Sequence, residues 1–177
     1  MNAPASSPAG PPSRAGLFVL ALVLAGFVAY VLTKSAQLPA VVATHFDLHG
    51  KANGWMSREK HLWFTLGIGT LLPLLMIGIA AVVRRGDGRG LNIPNKTYWL
   101  APERRAATFD YFSRQMLWLA TLMAVFQAAL FKSILDANSV HPPALPMPLI
   151  MWLTGGFLAL IAIWVAGVLV RFLLPRA

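Results

Sequence analysis

The residues with the clearest capacity for chemistry lie in one short stretch of the chain. His45, Asp47 and His49 alternate along it, and residues two apart point the same way in an extended strand. Zinc and copper both accept imidazole and carboxylate ligands, so one hypothesis is a metal site formed by these three side chains. The alternative is structural, with Thr44, His45 and Asp47 bonding the backbone of their own loop. We favour the structural alternative and expect no metal or other cofactor.

The sequence signatures of common enzymes and transporters are missing elsewhere. The chain has no H-E-x-x-H, G-x-S-x-G or G-x-x-x-x-G-K-[ST] motif, which are the patterns of zinc proteases, serine hydrolases and nucleotide-binding loops. It also has no cysteine, which excludes disulfides and thiol chemistry. Proton-coupled transporters need an acidic group or a histidine inside the membrane, and no such residue lies deep within a long apolar run. A non-catalytic role is therefore expected.

The elements that must position these residues are membrane spans. Of the 177 residues, 57% are hydrophobic and only 12% are charged, which is more apolar surface than a soluble domain of this length can bury. The sequence predicts an all-α integral membrane protein with four transmembrane helices. The expected spans are residues 15–33, 62–83, 112–135 and 149–174. Residues 1–14 are rich in Pro, Ala and Ser and are expected to form a disordered tail.

The distribution of Lys and Arg predicts the orientation of the spans. Basic residues concentrate in residues 84–111, between the second and third runs, and such loops stay in the cytoplasm. Both termini are then inside, and the loop of residues 34–61 faces outward. The net charge of +9 reflects this topology, so no nucleic-acid partner is expected. Four inner arginines are candidate contacts for anionic lipid headgroups or a partner: Arg84, Arg85, Arg104 and Arg105.

Three local patterns add detail to this topology. Pro102 and Glu103 suit a helix start, and the following apolar spacing predicts an interfacial inner helix that leads into the third span. Gln127, deep in the third run, is expected to hydrogen-bond a neighbouring helix. A small-residue stripe in the first run suggests close helix packing. Its members are Ala21, Ala25, Gly26 and Ala29.

The outward loop carries an ordered set of turn-forming and aromatic residues. Pro39 ends any helix, Asn53-Gly54 is a strong turn signal, and Trp55 suits a membrane interface. In this order and spacing, the set resembles the signature of the SdpI-like family of bacterial membrane proteins, which is built around a domain of unknown function. The residues that carry the resemblance are Leu38, Pro39, Thr44, His45, Phe46, Asp47, Gly50, Asn53, Gly54 and Trp55.

The resemblance covers about the first half of the chain and implies an SdpI-like domain over residues 15–83. It also implies a place in the bacterial cytoplasmic membrane and immunity to a secreted toxic peptide, with signalling through a sequestered regulator. Residues 112–174 would form a second transmembrane hairpin. We interpret the outer loop as a recognition surface for a peptide or protein ligand. The alternatives are an accessory or structural subunit of an envelope complex and a metal-dependent membrane enzyme; the oligomeric state stays open.

Overall fold

The computed structural model describes residues 14–174. Four helices of this range are long and apolar enough to cross a membrane, which confirms the four predicted spans. The expected tail lies outside the described residues except for Arg14. In chain order the elements are α1 (Arg14–Ser35), β1 (Val41–Phe46), β2 (Ala52–Ser57), α2 (Arg58–Arg85), α3 (Lys96–Trp99), α4 (Pro102–Asn138) and α5 (Met147–Leu173).

The longest helix, α4, is the centre of the bundle. It packs against α1, α2, α3, α5 and β1. Its 37 residues span roughly 55 Å at 1.5 Å per residue, well beyond the hydrocarbon core of about 30 Å. Its ends therefore extend past the apolar layer. One core cluster joins Phe27 and Val31 of α1 to Phe131 of α4, together with Leu38 and Val42.

Helix α1 meets α2 through large side chains on α1 and a glycine on α2. A Cβ on Gly69 would lie 2.2 Å from the Phe27 ring, so only glycine allows this contact. The expectation that the small-residue stripe packs in the bundle is wrong, since Ala21, Ala25 and Ala29 are exposed. Phe27 and its neighbours form the packing face of α1 instead, because Gly69 on α2 leaves room for the Phe27 ring.

Helix α5 is attached more loosely than the other spans. Within residues 14–174, none of its most apolar stretch is buried. It contacts α4 through the stacked rings of Phe126 and Phe157, 4.0 Å apart, and through Trp164 Nε1, which donates to Gln115 Oε1 at 2.8 Å. The prediction for Gln127 is therefore wrong: no hydrogen bond among residues 14–174 joins it to a neighbouring helix, and Gln115 makes that kind of bond.

Of two expectations about the segments between the spans, one needs correction and one agrees with the structure. The fold is mostly but not wholly helical, because β1 and β2 form an antiparallel two-stranded sheet. The expected start at Pro102 is confirmed, and this helix leads into the third span as predicted, because residues 102–111 belong to α4 itself. No proline or glycine occurs between residues 103 and 138, so nothing interrupts the helix between its basic start and the span. Location of residues 98–112 on the membrane surface stays a prediction.

Candidate functional site

The candidate site begins with a β-hairpin, residues 41–57, which we call the hairpin. Its turn lies at residues 47–50, where Gly50 N–H donates to the Asp47 carbonyl at 2.9 Å and Gly50 has φ 78°. The expected turn at Asn53-Gly54 is wrong, since both residues lie inside β2. The physical reason is that Asp47 and Gly50 together supply a side-chain acceptor and a left-handed residue at the right spacing.

Asp47 stabilises this turn with its side chain. Its Oδ1 accepts from the backbone N–H of His49 at 2.8 Å and of Lys51 at 2.9 Å. The Lys51 N–H lowers the pKa of Asp47 below its usual value, and the His49 N–H, with the charges of both residues, acts in the same direction. The carboxylate is thus committed to the backbone, as the structural interpretation expected.

His45 is held by an irregularity of the sheet. The strand register shifts on both sides of it, and it lies opposite Gly54. A Cβ on Gly54 would be 2.8 Å from the His45 Cβ, so glycine is required here for close approach and not for a turn. His45 Nδ1 forms a short hydrogen bond with Asn53 Oδ1. Within residues 14–174 no three His, Asp or Glu side chains are grouped to hold a metal, so His45, Asp47 and His49 do not converge.

Two residues that the sequence analysis did not single out fix the hairpin to the bundle. Asn138, at the end of α4, accepts from Ala43 N–H at 2.8 Å and donates to the Ala43 carbonyl at 2.9 Å. Both residues are buried. Arg58 donates to the carbonyls of Ala36 at 3.2 Å and Leu38 at 3.0 Å. The hairpin is therefore a fixed part of the bundle.

The connection between α4 and α5 also contributes. Leu145 N–H donates to the Gly50 carbonyl at 2.9 Å, and Ala144 forms an isolated bridge with Lys51. A Cβ on Gly50 would lie 2.2 Å from the Leu145 carbonyl oxygen. The hairpin turn is thus packed against residues 139–146, which belong to the second half of the chain.

A cavity of about 350 Å³ lies between the hairpin, α2 and α4; we call it the hairpin cavity. His61 on its wall is 5% exposed and stacks on Phe131 with ring centroids 5.9 Å apart. Its Nε2 lies 3.4 Å from Thr65 Oγ1, but its Nδ1 is buried without a partner among the described residues. Buried polar atoms are normally satisfied, and His61 Nδ1 is an exception among the described residues. The wall also includes Thr44, His45, Met56, Thr65 and Gln127.

Several other residues of the hairpin and its flanks lie outside the wall of this cavity. Trp55 is 55% exposed, and Leu48 at the turn is 88% exposed. Phe46 is half-buried at the end of β1, and Pro39 is exposed between α1 and β1. Helix α1 has already ended at Ser35, so Pro39 belongs to the connection and does not itself end the helix. Two large apolar side chains of the hairpin, Trp55 and Leu48, are therefore exposed, and neither belongs to the wall of the hairpin cavity, which is mainly apolar.

The four candidate arginines divide into two groups at the opposite end of the bundle, which we call the basic end. Arg84 forms an ion pair with Asp110. Arg104 Nε donates to the Tyr98 carbonyl at 2.9 Å, and its guanidinium lies 3.9 Å from the Tyr98 ring centroid. Arg85 and Arg105 line an open cavity instead. Sequence reasoning grouped all four, because pairing with Asp110 or Tyr98 is visible only in three dimensions.

Comparison with known proteins gives one partial match. The family model described as a domain of unknown function, DUF1648, matches residues 17–70. No curated protein and no solved structure matches the chain. The matched segment contains nearly all of α1, the hairpin and the first part of α2. The chain is thus a multi-pass membrane protein that is similar over residues 17–70 to a domain of unknown function.

Proposed function

We propose that this protein acts in the bacterial cytoplasmic membrane and recognises a peptide or protein ligand at its hairpin, in the manner that the SdpI-like resemblance implies. The observation that carries the proposal is the hairpin itself, which is fixed to the bundle by Asn138 and leaves Trp55 and Leu48 exposed. A peptide or protein ligand offers apolar side chains that can cover Trp55 and Leu48. Aromatic residues beside a concave site are frequent anchors of binding.

The geometry favours binding over catalysis. No Asp or Glu of the described residues lines the hairpin cavity, so no carboxylate there orients His61 as a general base. Asp47 is committed to backbone N–H groups, and His45 to Asn53. Recognition requires only a fixed surface, and Asn138 and Arg58 supply one by tying the hairpin to the bundle.

The proposal includes a topology in which both termini are cytoplasmic and the hairpin faces outward. It is supported by the concentration of Lys and Arg at the basic end. Reporter fusions at Gly88 and at the C-terminus should read cytoplasmic, and a fusion at Gly50 should read external. A cytoplasmic signal at Gly50 would overturn the orientation.

Immunity is tested in a bacterium sensitive to the secreted toxic peptide of an SdpI-like system. Cells producing this protein should survive the peptide, and Trp55→Ala should lose most of the protection at unchanged membrane abundance. His49→Ala is the matched control, because His49 contributes its backbone N–H and not its side chain to the turn. Absence of protection from the abundant wild-type protein would reject the immunity role.

One observation supports a second candidate, an accessory subunit of an envelope complex. Helix α5 leaves its apolar length uncovered within the described residues, which suits lipid or a partner helix. Purification from a mild detergent separates the candidates, since a stoichiometric protein partner favours the accessory role. Metal analysis of the same sample tests the enzyme alternative: bound zinc that is lost in His45→Ala and His49→Ala would support it.

The division of the chain follows from the same proposal. Residues 15–83 form the recognition domain, and residues 112–174 form a second transmembrane hairpin that completes it. The hydrogen bond from Leu145 N–H to the Gly50 carbonyl supports the dependence of the recognition domain on the second half of the chain. Residues 84–111 are the cytoplasmic connection, which carries the basic side chains.

A further inference from the structure

We propose that the basic end binds one anionic phospholipid, whose phosphate lies between Arg85 and Arg105 and whose acyl chain enters an adjoining apolar cavity. The proposal does not depend on the ligand of the hairpin. It rests on two neighbouring cavities of different character and on the charges that remain around them.

The first cavity is polar and open. It measures about 550 Å³ and lies between the end of α2 and the start of α4, with Arg84, Arg85, Asp87 and Arg105 on its wall; we call it the basic cavity. A phosphate placed there would face guanidinium groups, which bind it through paired N–H donors.

The charges around the basic cavity leave two arginines for such a phosphate. Asp87 is bound by Arg89, whose Nε lies 2.8 Å from Asp87 Oδ2. Arg84 forms an ion pair with Asp110. All six acidic residues of the chain fall within residues 14–174, and none of them forms an ion pair with Arg85 or Arg105 there. The cavity therefore carries a net positive charge that the phosphate of an anionic lipid would partly balance.

The second cavity is apolar and measures about 390 Å³. It lies between α1, α2 and α4, and we call it the apolar cavity. Arg84 and Arg85 line both cavities, so the two adjoin at these side chains. The remaining wall is formed mainly by Leu17, Ile77, Ala80, Ala81 and Leu117. A phosphate with an attached acyl chain fits this pair of cavities, whereas free phosphate would leave the apolar one unused.

The depth of the two arginines also fits a lipid headgroup. Arg85 follows the predicted end of the second span by two residues, and Arg105 precedes the third span by seven, or roughly 10 Å of helix. Basic pockets between transmembrane helices at this level are typical sites for anionic lipid headgroups.

The test is a lipid titration of the full-length protein in mild detergent, followed by native mass spectrometry. Phosphatidylglycerol should bind as one tight copy, with phosphatidylcholine of the same chain length at least about fivefold weaker, because its choline cation offsets the phosphate charge by about 1 kcal/mol or more next to the two arginines. Equal binding of the two lipids would overturn the proposal. Inorganic phosphate is the third arm; if it displaced phosphatidylglycerol at equal concentration, the site would be a phosphate site without a lipid chain.

Two variants assign the binding to the two cavities. Arg105→Gln should weaken phosphatidylglycerol binding about fivefold, while Arg114→Gln, with the same charge change on the same helix and outside both cavity walls, should leave it nearly unchanged. Ala81→Phe should fill the apolar cavity and weaken the long-chain lipid without affecting a short-chain phosphatidylglycerol. Equal effects of Arg105→Gln and Arg114→Gln would refute the site. A lipid-free unfolding curve for each variant shows that the fold is retained.

Discussion

At the hairpin end of the bundle, polar side chains hydrogen-bond backbone groups of the hairpin, whereas at the basic end an aromatic ring and an arginine hold α3 against the end of α5. The amide oxygen of Asn138 and the carboxylate of Asp47 fix the hairpin because each accepts a hydrogen bond from one of its backbone N–H groups. The basic end is held by Trp99, whose Nε1 donates to the Phe172 carbonyl at 2.9 Å, and by Arg171, whose guanidinium lies 4.8 Å from the Trp99 ring centroid.

The difference suggests how substitutions at the two ends should behave. A polar side chain at the hairpin end satisfies buried backbone, so its loss should lower the free energy of unfolding. Arg85 and Arg105 form no ion pair within residues 14–174, and Arg105 acts on Asp87 only as a nearby charge, so their loss should change binding more than stability. The predictions below test this contrast with variants of the full-length protein unfolded in detergent.

The largest effect is expected at Asn138. Replacement by Leu leaves the buried N–H and carbonyl of Ala43 without partners, and each unsatisfied group costs about 1–3 kcal/mol. We expect the free energy of unfolding to fall by about 3 kcal/mol. Asn92→Leu, at an exposed position of the basic end, is the control and should change it little. Equal losses in the two variants would remove the contrast between the ends.

The next effect is expected at Gly50. A Cβ there meets the Leu145 carbonyl oxygen at 2.2 Å and the residue has φ +78°, which costs a non-glycine residue about 1–2 kcal/mol. Gly50→Ala should destabilise the protein by at least about 2 kcal/mol, because clash and backbone strain act together. The control is Gly90→Ala, since no atom lies within 4 Å of a Cβ at Gly90. A stable Gly50→Ala protein would show that residues 139–146 do not support the hairpin.

The spans could be predicted from the sequence because they depend on local composition. A run of about 20 apolar residues is long enough to cross the bilayer whatever it packs against. The hairpin turn could not be placed in the same way. Asn53-Gly54 has the stronger local turn propensity, but Asp47 and Gly50 form the turn, and Leu145, nearly a hundred residues further along, packs against it.

Packing partners could not be predicted from the sequence either. Asn138 contacts Ala43 across 95 residues of chain, and nothing in its own neighbourhood marks it as an anchor. The small-residue stripe of α1 indicated close packing, but the contact needs Phe27 on α1 and Gly69 on α2. A local pattern identifies small residues that would permit two helices to pack closely. The side chains of the neighbouring helix α2 determine which face of α1 is used.

A moderate effect is expected at Trp99, the buried aromatic residue of the basic end. Trp99→Phe keeps a ring against Phe172, whose centroid lies 5.5 Å away, but removes the hydrogen bond to the Phe172 carbonyl. The free energy of unfolding should fall by about 1 kcal/mol, and protease cleavage near the end of α5 should become faster. Trp118→Phe is the control because Trp118 is exposed. A loss as large as that of Asn138→Leu would show that the two ends are held equally firmly.

The smallest effect concerns two turns that are each stabilised by an aspartate, Asp47 at the hairpin end and Asp87 at the basic end. Lys51 N–H lowers the pKa of Asp47, and Arg89 N–H lowers the pKa of Asp87. A carboxylate with a depressed pKa in the folded state adds stability above its unfolded pKa, near 4, and that stability is lost as the pH falls through the folded value.

The prediction is measured as the unfolding midpoint between about pH 3 and pH 6, the range that brackets a free Asp pKa. Asp47→Asn should lower the midpoint slightly at the upper pH and flatten its decline toward the lower pH, because Asn cannot lose a charge. Asp87→Asn should flatten it as well, and the double variant should show the sum, since distant sites act independently.

The two turns differ in their surroundings: Gly50 is packed against Leu145, while Asp87 is bound by its own neighbour Arg89. Loss of the Asp47 charge should therefore also raise proteolysis of residues 139–146, and loss of the Asp87 charge should not. A steeper pH dependence in either variant would contradict the assigned direction of the pKa shift.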